Sequence, residues 1–165
     1  MKQETKISPY QPGAGRIMIT NYGTHPPESW AQVTAEHIAP ISVGLTGPRY
    51  IAAMKLQMAI TEALTPHHEA VQHHERAKLA ESSDHLLTNL DPEPHLEGAI
   101  QAILAAAKGT DWEAHFAKPE VQAVIRQEIG AHFATAQHIE RSWHVDRNPG
   151  HPHARTWRAT HHPGE

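Results

Sequence analysis

Glu69 and His73, Glu81 and His85, Glu128 and His132, and Glu140 and His144 each stand four residues apart. On a helix this spacing puts a carboxylate and an imidazole on one face, where they can pair as ions or hold a metal together. Two facing helices with one pair each would bring four ligands to one ion. Glu69, His73, Glu128 and His132 are the residues that such a metal-binding helical protein would use. The pattern departs from known centres of this kind, because di-iron carboxylate bundles use Glu-x-x-His, which does not occur here. Along each helix the pairs are also about 120° out of phase at 100° per residue, so all four cannot address one centre. The sequence therefore favours solvated pairs worth about 0.2–0.5 kcal/mol each, with no metal or cofactor required.

Other reactive patterns are missing. His67-His68-Glu69 is followed by Ala70, Val71, Gln72 and His73, which is not the His-Glu-x-x-His of a zinc protease. There is no nucleophile elbow, phosphate loop or dinucleotide fingerprint. Cysteine is absent, which excludes disulfides and thiolate chemistry. No enzyme signature remains. His132 falls on an apolar stripe and reads as a core-edge histidine bonded to a neighbour or to Glu128. Trp143, His144 and Arg147 can contact a base or a phosphate, or simply cap a helix end. A protein sequestering a small nucleotide or host factor would use that end, which makes a third reading.

The composition narrows the class. A chain of 165 residues suits one domain. Its hydrophobic fraction of 39% owes much to alanine, which predicts closely approaching helices around a thin core. The formal charge of −4 argues against a nucleic-acid binder, except through a local basic patch. No run approaches the roughly 18 apolar residues of a membrane span, and MKQETKISPYQPGAG lacks the apolar region of a secretion signal. Sixteen histidines predict strongly pH-dependent behaviour near pH 6.

These residues must be positioned by helices. Residues 1–28 hold Pro9, Pro12, Pro26 and Pro27 with three glycines, and read as an extended arm. Ser29 and Gln32 have capping-box spacing, so a first helix is expected to start at Ser29 and stop near Pro40. A second amphipathic pattern carries Ile51, Met54, Leu56, Met58, Ile60 and Leu64 and continues towards Leu87, with Thr65-Pro66 as a kink or a restart. Asp91-Pro92-Glu93-Pro94 opens a helix that Lys108-Gly109 closes. Thr110 to Glu113 caps a short helix through Phe116. Pro119 starts the last and longest one, with Val121, Ile125, Ile129, His132, Ala136, Ile139 and Trp143 as its stripe. Gly130 inside it predicts close approach of a neighbouring helix. Residues 149–165 read as a second arm. The fold expected is an all-α small helical bundle of four to five helices at residues 29–148, with extended N- and C-terminal arms.

Two stretches, ITNYGTHPPESWAQVTAEHIAPI (19–41) and IGAHFATAQHIERSWHVDRNP (129–149), resemble small helical proteins of unassigned role from tailed bacteriophages. The resemblance implies a virion accessory component (capsid-associated, neck or tail) or an early protein in the host cytoplasm, and carries no functional residue with it. The sequence thus favours a structural or interaction subunit over an enzyme. Its partners would be protein subunits in a homo-oligomer or larger symmetric assembly. Ile17, Met18, Ile19, Tyr22, Trp143, Arg147 and Trp157 would be its partner-binding anchors, since aromatic and aliphatic side chains in polar tails gain most from burial against a partner.

Overall fold

The structure is a computed structural model and describes residues 26–161. Ile17, Met18, Ile19 and Tyr22 lie outside the described residues. The fold is all-α, and no strand occurs among the described residues. Its elements are α1 (Pro27–Ile38), α2 (Gly47–Glu81), a 3-10 turn (Ser83–Leu87), α3 (Glu93–Ala107), α4 (Glu113–Phe116), α5 (Pro119–Arg147) and α6 (Ala154–His161). The helices α1, α3 and α5 pack on the long α2, and α1 and α3 also touch α5.

The first helix begins two residues before the expected capping box. Pro27 occupies its first position, where a missing N–H costs nothing and the fixed φ suits a helix. Gln32 instead donates to Glu36. Neither a stop nor a restart occurs at Thr65-Pro66, because α2 runs unbroken through Pro66. Its buried stripe, Ala53, Leu56, Ile60, Leu64, His68, Val71, Gln72, Glu75 and Leu79, continues across the proline, so packing outweighs the lost hydrogen bond. The capping box expected at Thr110–Glu113 does not form: Trp112 is the N-cap of α4 with no side-chain cap bond, while the Thr110 hydroxyl accepts from Trp112 N–H and Glu113 accepts from Gly109 N–H, one residue before the box. Gly109 supplies the positive φ of 81° that closes α3.

A main core is built from Trp30, Leu56, Ile60, Leu64, Ile100, Ile103, Ile129 and Phe133, with alanines where helices approach. A second, smaller core joins Leu79, Leu86, Val145, Ala154 and Trp157. This second core alters the reading of the C-terminal segment. Beyond the turn at 151–153 the chain folds as α6, which packs on the 3-10 turn and is not extended. Trp157 is 1% exposed, so it is buried within the chain. The aromatic ring finds in Leu79, Leu86 and Val145 the apolar cover that the sequence assigned to a partner.

Candidate metal centre

From residue 131 to residue 141 every position of α5 is buried, polar ones included. His132 is fully buried there and faces α1. The Thr34 hydroxyl of α1 donates to the Trp30 carbonyl one turn back (2.8 Å). Having spent its only proton, it can serve its other neighbours solely as acceptor. His132 Nδ1 stands 2.9 Å from that oxygen and His68 Nε2 3.2 Å from it. Both nitrogens must therefore carry the hydrogen. This fixes two tautomers: His132 presents a bare Nε2, and His68 a bare Nδ1 that meets no partner among the described residues.

The bare Nε2 of His132 accepts from His37 Nδ1–H in the last turn of α1 (3.1 Å), and an ion held by both nitrogens would take the place of that proton. Glu128, one turn before His132 on α5, completes a trio whose ligand atoms all lie within 4.8 Å of one another. With metal–nitrogen bonds of about 2.1 Å, two nitrogens at the His37–His132 distance subtend about 95° at a shared ion, between octahedral and tetrahedral values. The helix-end carbonyls of α1 also favour a cation beside His37. Burial first, and then neighbouring His37, push the His132 pKa down to about 3. Its imidazole is thus neutral, the state that ligates. Thr34 accepts from His132 Nδ1–H and so orients the ring with Nε2 towards His37, as the outer hydrogen bonds of metal-bound histidines do.

Of the four ligands the sequence offered, Glu128 and His132 belong to this trio. Glu69 and His73 are exposed on α2 and take no part. Their place is taken by His37, which no spacing within one helix can indicate, because it arrives from α1 through tertiary packing. The trio opens on a groove of about 390 Å³ running along the first half of α5, between the end of α1 and α4.

The chain matches no known family model, curated protein or solved structure. The trio is accordingly read from its own chemistry.

The remaining polar burial is structural. Arg141, 1% exposed, donates to Glu75 (2.5 Å), the Thr88 carbonyl (2.6 Å) and the Thr88 hydroxyl (3.1 Å), while His85 also bonds Glu75 (2.8 Å). This cluster fastens the segment after α2 to α5. Arg76 grips Glu140 through two bonds of 2.7 and 2.8 Å. Burial nevertheless keeps the Glu140 pKa above the usual carboxylate value. So His85 and Glu140 pair across elements, and neither pairs with its i,i+4 partner. Trp143, His144 and Arg147 do gather, lining a cleft of about 410 Å³ with Arg147 stacked 4.4 Å over Trp143. It lies at the carbonyl ends of α2 and α5, where helix dipoles disfavour phosphates. Among the described residues no helix is long and apolar enough to cross a membrane.

Proposed function

We propose that this is a metal-binding helical protein that holds one divalent first-row ion through His37 Nδ1, Glu128 and His132 Nε2. The observation that carries the reading is the convergence of three ligand atoms from two helices beside an open groove, with one imidazole fixed in its ligating tautomer by Thr34. Two histidines and one carboxylate leave coordination positions for water or a ligand, as in catalytic zinc and non-haem iron(II) sites. Such an ion acts as a Lewis acid and lowers the pKa of a bound water. Around it the chain keeps His132 neutral and oriented, and joins α1 to α5. This reading is preferred to that of an assembly subunit because Trp157, one of the proposed anchors, is buried in the second core.

Calorimetric titration of the metal-free chain with Zn²⁺ tests it. One ion per chain is expected, with affinity lowered at least tenfold in both His37→Ala and Glu128→Ala and helical circular dichroism unchanged. Equal binding by the variants, or well under one ion per chain, overturns the proposal, since the other histidines would then account for any uptake.

A further inference from the structure

We infer that the groove beside the trio seats a short unbranched monocarboxylate, its carboxylate on the ion and its tail along α5; this rests on the metal reading above. His37 and Glu128 belong both to the trio and to the groove wall, so the groove begins where the ion's free positions open. A divalent ion with one glutamate retains a single positive charge, which favours an anionic oxygen head. The exposed Glu120 also lines the groove and opposes a second negative charge, which disfavours dianions. Beyond the head the wall is mostly apolar, with Ile38 from α1, Phe116 from α4, and Val121, Val124 and Ile125 from α5, and His115 of α4 is its further polar member. Val124 is 65% exposed, and covering such a side chain is what an apolar tail would gain from. A volume of about 390 Å³ sits at the small end of ligand pockets, which suits a compact ligand and not a peptide.

The test uses the full chain loaded with Co²⁺, whose visible bands report the ligands on the ion, titrated with acetate, butanoate and hexanoate. The bands should shift at saturation with each acid, and affinity should rise about fourfold per added methylene, as burial of a CH₂ group implies. Val124→Asn should retain the cobalt spectrum and the acetate response while losing much of the gain with chain length, since it removes apolar wall without adding charge. Hexanoate binding no tighter than acetate, or an undiminished gain in Val124→Asn, overturns the inference with the metal reading intact. If the wild-type chain develops no ligand-field bands with Co²⁺, the metal reading falls first and the inference with it. Should sedimentation show a dimer that Val124→Asn dissociates, the groove belongs to a second copy and the carboxylate is excluded.

Discussion

A single hydroxyl organises two of the buried histidines, His68 and His132. Thr34 gives its proton to Trp30 and accepts from His132 and His68, so each imidazole is held neutral with one defined lone pair. For His68, burial first, then His132 and His67, hold the pKa well below the ordinary histidine value. In the unfolded chain it titrates near 6.5. Its contribution to stability is therefore complete above about pH 6.5 and is lost as pH falls, by about tenfold in the folding equilibrium per pH unit. His68→Gln keeps an N–H for Thr34 and has nothing to titrate. Urea denaturation of the metal-free chain between pH 6 and 4 should show the variant's stability falling about one decade per pH unit less steeply than the wild type's. Equal slopes would mean that His68 is not neutral in the fold. His68 and Glu75 were missed from the sequence, although both continue the Ile60, Leu64 spacing along the buried face of α2. Their partners had no such signal, because Thr34 and Arg141 come from other helices, and no local spacing encodes a tertiary meeting.

At the scale of elements, the sequence specified the helices better than their ends or neighbours. The glycine closing α3 was legible because a cap is a contact among adjacent residues, whereas the box expected for α4 is displaced, with Glu113 bonding Gly109 N–H in place of Thr110 N–H. Pro27 outweighed Ser29 at the start of α1 by being already in helical geometry. Pro66 was ambiguous by nature, since whether a helix survives a proline depends on what packs against both halves. The helix α6 was missed because its flanks are rich in proline, glycine and histidine, and its stability comes from Trp157 entering the second core. Gly130 corrects a further expectation. A Cβ there would meet the Leu96 methyls at 3.8 Å, an ordinary contact, so no close helix approach requires glycine. Gly130→Ala should therefore stabilise the protein by about 0.5–1 kcal/mol in urea denaturation, through helix propensity and a less flexible unfolded chain. A loss of stability would show that α3 and α5 pack more tightly than the structure has them.

Across the whole molecule, polar side chains form two buried clusters with different tasks. The Glu75, His85, Thr88 and Arg141 cluster closes on itself, donor to acceptor, and leaves little for a ligand to do. The His37, Glu128 and His132 trio is joined by one hydrogen bond, His37 Nδ1–H to His132 Nε2, and stands beside open space. That difference, between a network closed in the core and one that a ligand can reach, is what separates scaffold from site in a chain with histidines throughout its length. The composition announced abundant ligands without saying which would meet. Only the packing of α1 against α5 selects three of them. Crystals soaked with Zn²⁺ and measured on both sides of the zinc absorption edge test this most directly. An anomalous peak is expected about 2 Å from His37 Nδ1, His132 Nε2 and a Glu128 oxygen. A trio without a peak, while zinc appears at exposed histidines such as His73 and His74, would contradict it.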